Sequence, residues 1–234
     1  MPDRTLTVFR TARVADRAEL AGWQIRSVVL GEQIALPEAS GMLEQKILDC
    51  DSLLVTSPRA AAWIANQALP KFVRKPVFVA GESTAKPLEE SHWDVRVPNG
   101  TGGEAATRLL AEQGFLRPLF LCATETAGTV ESTGSELGLD LRSLAIYHTL
   151  RRADWDAHEL PELDQTEFVA FMAPSAVRFL LELAPGYFES LRTKCPAVVA
   201  SESIHRTLRQ ALWSDIRLAS GPSLSQLVQS FGGL

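Results

Sequence analysis

The stretch VTSPRAAAWI, Val55 to Ile64, opens as the end of a buried strand and runs into a helix. A near copy, FMAPSAVRFL, stands at Phe171 to Leu180, with Pro58 and Pro174 as fixed points 116 residues apart. The echo continues on both sides. PVFVAGESTAKPLEE (Pro76 to Glu90) aligns with PAVVASESIHRTLRQ (Pro196 to Gln210). LAGWQIRSVVL (Leu20 to Leu30) aligns with ELGLDLRSLAI (Glu136 to Ile146), so that Gly22 faces Gly138 and Arg26-Ser27 face Arg142-Ser143. Further on, Trp93 faces Trp213. Aligned blocks in the same order, at offsets that drift only by small insertions, mark a duplication, and two copies of this length each fit the usual size of a domain.

Each copy alternates short apolar runs with helical patterns. In the first copy the expected strands are Leu6–Phe9, Gln24–Leu30, Ser52–Val55, Pro76–Val79 and Asp94–Val97. Ala60, Trp63, Ile64 and Gln67 have the i, i+3, i+4, i+7 spacing of a one-faced helix, with Gln67 as its polar exception. Strands that are apolar on both sides, separated by helices, imply parallel sheets covered on both faces. The expected fold is therefore α/β, with two doubly wound parallel-sheet lobes. The polar, proline-containing segments GEQIALPEASG (Gly31 to Gly41) and HTLRRADWDAHELPELDQ (His148 to Gln165) are where the chain is expected to cross between lobes.

Composition narrows the function. The chain has 234 residues and a formal net charge of −5. The charge and the lack of a Lys/Arg block argue against nucleic-acid binding. No apolar run approaches the roughly 18 residues a membrane helix needs, and the start, MPDRTLTVFR, lacks the apolar core of a signal peptide. Three cysteines, Cys50, Cys122 and Cys195, form no CxxC pair. They read as reduced buried thiols of a cytoplasmic protein. The four histidines show no metal-ligand spacing, and neither a Walker loop nor GxGxxG occurs.

In open parallel sheets ligands bind where strand ends feed helix N-termini. Those ends carry hydroxyls and glycines: Thr56-Ser57, Gly81-Glu82-Ser83-Thr84 and Asn99-Gly100-Thr101-Gly102-Gly103 in the first copy. Their counterparts are Met172-Ala173 with Ser175, Ser201-Glu202-Ser203, and Ser220-Gly221 with Ser223. Each hydroxyl can cap a helix, and each helix start leaves N–H groups free to face an anion. Several such starts around one cleft can hold a polyanion without a strongly basic protein. Two other readings stand beside this one. VAGESTA resembles a nucleophile elbow around Ser83, although Ala85 replaces its second glycine, which leaves a serine hydrolase as an alternative. A two-lobed protein that binds a small polyanion without chemistry is another.

In this order, the blocks LLVTSPRAAAWI, VFVAGESTAKPLEE, VPNGTGGEAATRLL, LAIYHTL, FVAFMAPSAVRFLL, VVASESIHRTL and LASGPSLSQLVQSF resemble uroporphyrinogen-III synthases over nearly the whole chain. The resemblance implies two flavodoxin-like lobes joined by two crossing segments, one lobe made of residues 1–32 with 152–234 and the other of 33–151. It implies a lyase that cyclises the linear tetrapyrrole hydroxymethylbilane with inversion of ring D, without metal or organic cofactor. The sequence leaves the oligomeric state open, with a two-lobed monomer as the default expectation. Tyr147 matches the tyrosine of the family's YxT pattern and is implied as proton donor to the departing hydroxyl of ring A; it also reads as a core tyrosine near the crossing. Thr56, Ser57, Ser83, Thr84, Thr101, Gly102, Ser175 and Ser203 are implied as cleft residues that hold substrate carboxylates. Arg10, at the end of the first strand, is expected either to pair with one carboxylate or to be a solvated loop arginine. The chain departs from the family pattern at Met172-Ala173, where Thr/Ser-Ser is usual, and at Ser201-Glu202-Ser203, where a Gly-Pro-Thr-like turn is usual.

Overall fold

Strands form where apolar residues alternate between two buried faces. A computed structural model describes residues 4–12, 20, 22–69, 75–100, 102–221 and 223–232. The first three strands are β1 (Arg4–Arg10), β2 (Trp23–Val29) and β3 (Gly31–Ala35), followed by helix α1 (Ala39–Leu48). Then come β4 (Ser52–Val55), α2 (Pro58–Ala65), β5 (Val77–Val79), α3 (Glu82–Glu90), β6 (Val95–Arg96) and α4 (Gly103–Glu112). The chain continues through β7 (Pro118–Ala123), α5 (Thr129–Glu136) and the long β8 (Arg142–Arg151). After two single 3₁₀ turns it finishes with β9 (Phe168–Phe171), α6 (Pro174–Leu183), α7 (Pro185–Lys194), β10 (Ala197–Val199), α8 (Glu202–Gln210), β11 (Ile216–Leu218) and α9 (Leu224–Gln229).

The strands make two sheets. One has the order β2-β1-β9-β10-β11, paired in parallel throughout. The other has the order β3-β8-β7-β4-β5-β6, with parallel pairing from β8 to β6. Matching the strands by the sequence repeat, β1, β2, β9, β10 and β11 take the same places as β7, β8, β4, β5 and β6. The repeat is thus exchanged between sheets: β1 pairs with β9, and β7 with β4. By contact density the chain divides into one unit of residues 1–33 with 149–234 and another of 34–148.

Period-two alternation builds two cores in each unit. In the 34–148 unit, Leu53, Val55, Val77, Val79, Leu119 and Leu121 pack on one face of the sheet. Leu54, Phe78, Phe120 and Cys122, their chain neighbours, pack on the other. The second unit repeats the arrangement with Phe9, Val169, Phe171, Ala197 and Val199 against Leu6, Val8, Ala170 and Val198. Such strands are hydrophobic throughout because helices cover both faces.

Several boundaries move from the sequence expectation for clear reasons. The helix expected to reach Gln67 ends at Ala65, and the Gln67 amide donates to the Trp63 carbonyl at 3.1 Å. Pro76 has no N–H for a ladder, so β5 starts one residue later, while the Pro76 carbonyl accepts from Leu53 at 2.9 Å. Each polar crossing segment begins as strand, since β3 occupies Gly31–Ala35 and β8 runs on to Arg151. Arg152 closes the end of β8: its backbone N–H donates to Leu30, its guanidinium donates to the Val29 carbonyl at 2.9 Å and grips Glu159 through two nitrogens.

Candidate active site

In the 34–148 unit successive strands are laid out in opposite directions from the junction of β4 and β7. From β4 the chain proceeds to β5 and β6; from β7 it proceeds to β8. Such a switch point opens a crevice at the carboxyl ends of the strands, because the helices that follow lie on opposite faces. A cavity of about 210 Å³ occupies this position. Its walls include Thr56 after β4, Cys122 and Ala123 at the end of β7, Tyr147 on β8, Gly103 at the start of α4, and Val130 and Glu131 in the first turn of α5.

Tyr147 owes its place to an irregularity in the ladder. The register between β7 and β8 shifts at Cys122/Ala123: Cys122 faces Ala145, but Ala123 faces Tyr147. Leu144 and Ile146 point into one core, and simple alternation would send Tyr147 to the other face. After the shift Ile146 and Tyr147 share the same core. An extra residue of this kind re-aims a side chain at little cost to the sheet. The Tyr147 carbonyl also accepts from the Thr124 N–H at 3.0 Å, and Thr124 Oγ1 lies 3.0 Å from His148 Nδ1.

The phenol oxygen of Tyr147 lies 3.2 Å from Ser57 Oγ. Ser57 is also the N-cap of α2 and accepts from the Ala60 N–H at 3.1 Å, so a rigid helix start fixes the hydroxyl that meets Tyr147. Burial pushes the Tyr147 phenol above its ordinary range, and the Ser57 hydrogen bond opposes that rise. The Arg59 guanidinium sits 5.7 Å from the Tyr147 ring centre. The ring is 7% exposed, so a protonated phenol is held at the cavity edge rather than in solvent.

Glycines set the approach of α4. A Cβ at Gly103 would lie 2.6 Å from Val130 Cγ2 and 3.1 Å from Thr56 Cγ2, so only glycine fits between these two cavity walls. Gly102, with φ +94°, caps the helix in a region that L side chains rarely adopt, and its N–H donates to the Ala80 carbonyl at 2.9 Å.

The remaining residues expected from sequence are distributed as follows. Ser83 is exposed in the first turn of α3, Thr84 beside it is buried, and neither lines the cavity. Thr101 lies outside the described residues. Arg10, Ser175 and Ser203 belong to the other unit. There Arg10 ends β1 and is buried, contrary to a solvated loop arginine. Ser175 is the second residue of α6, whose N-cap, Ala173, offers no side-chain bond, whereas the equivalent Ser57 does. Ser203 is the second residue of α8; the capping is done by Ser201, which accepts from Ile204 at 3.4 Å. Sequence reasoning missed the loop after β7. Thr124, Thr126 and Gly128 repeat the hydroxyl-and-glycine pattern of the other strand ends, which is the signal that could have found it. Among the described residues no cluster of His, Cys, Asp and Glu is placed to hold a metal, and no helix is long and apolar enough to cross a membrane.

The family model for uroporphyrinogen-III synthase HemD matches residues 30–229. The chain belongs to the uroporphyrinogen-III synthase family. Solved members have the same fold. A uroporphyrinogen-III synthetase from Helicobacter pylori 26695 is 19% identical, with 97% of each chain covered and a TM-score of 0.62. A mutant uroporphyrinogen III synthase from the extremely thermophilic bacterium Thermus thermophilus is 17% identical over 97% of each chain, with a TM-score of 0.59. No curated protein sequence matches the chain. In this synthase-family chain, the tyrosine of the YxT pattern is the residue at the switch-point cavity.

Proposed function

We propose that this protein is a uroporphyrinogen-III synthase, a cyclising lyase of tetrapyrrole (haem) biosynthesis that converts hydroxymethylbilane to uroporphyrinogen III. The family match over residues 30–229 carries this reading. The cavity with Tyr147 at the sheet's switch point supports it chemically.

The reaction begins at the hydroxymethyl group of ring A. The ring nitrogen supplies its electron pair, the C–O bond breaks, and the oxygen takes a proton from Tyr147 and leaves as water. The resulting azafulvenium cation is attacked by the already substituted α-carbon of ring D, giving a spiro intermediate. That intermediate fragments and recloses through the other α-carbon, and the proton lost as the ring regains aromaticity returns to the Tyr147 oxygen. Substrate becomes product plus water.

Burial favours a protonated phenol, the form a donor needs, while Ser57 Oγ can stabilise the phenolate left after transfer. Thr56 and Ser57 lie at the same strand end, where α2 and α4 begin, so backbone N–H groups and hydroxyls are available to the substrate's acid arms. The substrate can close unaided to the uninverted isomer, and the enzyme has only to favour one geometry. Ordering a flexible chain can contribute about 7–11 kcal/mol, and each ~1.4 kcal/mol of preference is tenfold in rate. We assign the working form as a monomer in the cytoplasm, where three buried free cysteines suit a reducing medium.

The test supplies hydroxymethylbilane and separates the two uroporphyrinogen isomers. An excess of the inverted isomer over the protein-free control is expected. Only the uninverted isomer, at the spontaneous rate, overturns the reading in favour of a non-catalytic binder.

A further inference from the structure

Tyr147 is left negative when it gives up its proton, and the cavity wall offers no cationic side chain to meet that charge. Among the described residues that line the cavity, the ionisable side chains are Cys122, Glu125, Glu131 and Tyr147 itself, all of them acids. The cation that reaches the tyrosine is not part of that wall. Arg59 follows Pro58 at the start of α2, and its guanidinium carbon lies 5.7 Å from the centre of the Tyr147 ring, within the range of a cation–π contact. The helix gains nothing electrostatically from an arginine there. The first turn of α2 holds no acid, and the positive end of the helix dipole disfavours a cation at the second residue. Arg59 is exposed, whereas the ring it meets is buried.

Resting on the synthase reading, we infer that Arg59 is a positioning residue that acts through Tyr147, its guanidinium stabilising the phenolate formed when ring A loses its hydroxyl. A cation beside a neutral phenol is attracted only through the ring quadrupole. Beside a phenolate the same cation meets a full negative charge, so the contact is stronger after proton transfer than before it. That difference lowers the barrier and leaves ground-state binding little changed. The groups around the phenol divide accordingly. Burial pushes it up most, the Ser57 hydrogen bond opposes that rise, Cys122 on β7 pushes it up, and Arg59 brings it down. Glu125, after β7, and Glu131, on α5, share its cavity. Ser57 meets the phenol oxygen and Arg59 meets the ring, so one helix start supplies both a neutral hydroxyl and a cation to the same tyrosine. No covalent bond to Arg59 forms and its proton count does not change.

The test uses the full chain in two assays. The chain has two tyrosines, so Tyr187→Phe leaves Tyr147 as the only one, and a stopped-flow absorbance titration of that protein reads its ionisation before unfolding. Adding Arg59→Gln is expected to move the midpoint upward by about 1 on the pH scale. The gap is expected to close in about 1 M salt, because the guanidinium is exposed. Arg59→Lys is expected to restore most of it. An unchanged midpoint in Arg59→Gln overturns the inference. In the isomer assay Arg59→Gln is expected to lower kcat about three- to tenfold, with KM changed by less than about twofold. In Tyr147→Phe the same change is expected to have no further effect on kcat. The unfolding temperature is expected at or above wild type, since a cation leaves the helix start. A rise in KM alone assigns Arg59 to the substrate's acid arms and overturns the inference, as does an equal loss of kcat in Tyr147→Phe. If Arg59→Gln does not fold, Arg59→Met is read in the same way. The titration needs no substrate, so the midpoint shift stands or falls independently of the synthase reading, whose failure is the absence of the inverted isomer with wild-type protein.

Discussion

At the residue scale the site turns on a tyrosine and the serine that meets it. Tyr147→Phe removes the proposed proton donor and leaves the ring packed, so kcat is expected to fall by about a hundredfold with an unfolding temperature near wild type. A steady-state assay on hydroxymethylbilane measures it, and an unchanged kcat rules out the donor role. Ser57→Ala removes two bonds, the cap of α2 and the contact to Tyr147. The loss of the cap is expected to cost about 1 kcal/mol in urea unfolding. The loss of the contact moves the phenol further upward, because the Ser57 bond is what holds it down. A tyrosinate absorbance titration reads that shift directly. Tyr147 could be singled out in the sequence only through the family pattern. Ser57 was legible from physics alone, since a serine before proline at a strand end is a natural N-cap. Glu131 was not legible, because nothing local distinguishes it from any first-turn glutamate.

At the scale of elements, strand and helix types followed from periodicity. Ser52–Val55 is a strand with the predicted bounds, and all four of its residues are buried. The expected strand Asp94–Val97 shrinks to Val95–Arg96, an edge strand bonded on one side only. Arg96 there turns to Asp94, whose carboxyl its guanidinium holds below the ordinary range. The slip between β7 and β8 left no trace in the pattern: LAIYHTL alternates no differently from a regular strand, and only the facing residues reveal the extra one. Packing between elements makes a sharp prediction at Gly103. In Gly103→Ala the new methyl collides with Val130 and Thr56, which is expected to cost about 1–3 kcal/mol of stability. Both neighbours line the cavity, so kcat/KM is expected to fall with it; thermal unfolding and the isomer assay check the two effects separately.

For the whole molecule, buried acids that ionise late set a common limit. The Cys50 thiol rises from 9.0 to about 11 and the Cys122 thiol from 9.0 to about 12, both chiefly through burial. Tyr147, Tyr187 and Cys195 move upward for the same reason, which brings both compact units into the effect. A folded state that keeps its protons is favoured while the unfolded chain keeps them too. Once the unfolded thiols ionise, above about pH 9, the unfolded state gains and stability falls steadily toward the folded values. Urea midpoints are therefore expected to be level between about pH 6 and pH 9 and to decline above it. Cys122→Ala is expected to decline less steeply, and an equal slope in that variant rules out the assignment.

The sequence by itself determined that the chain is duplicated and that its strands are covered on both faces. Those properties are local or periodic, and a repeat of apolar runs and caps states them in one dimension. Only the tertiary structure decided that the repeat is exchanged between the sheets, with β1 beside β9 and β7 beside β4, which puts the switch point between Thr56 and Ala123. It also decided that Tyr147 shares a core with Ile146. Pairing partners and ladder register are set by contacts between residues far apart in the chain, and periodicity carries no record of them.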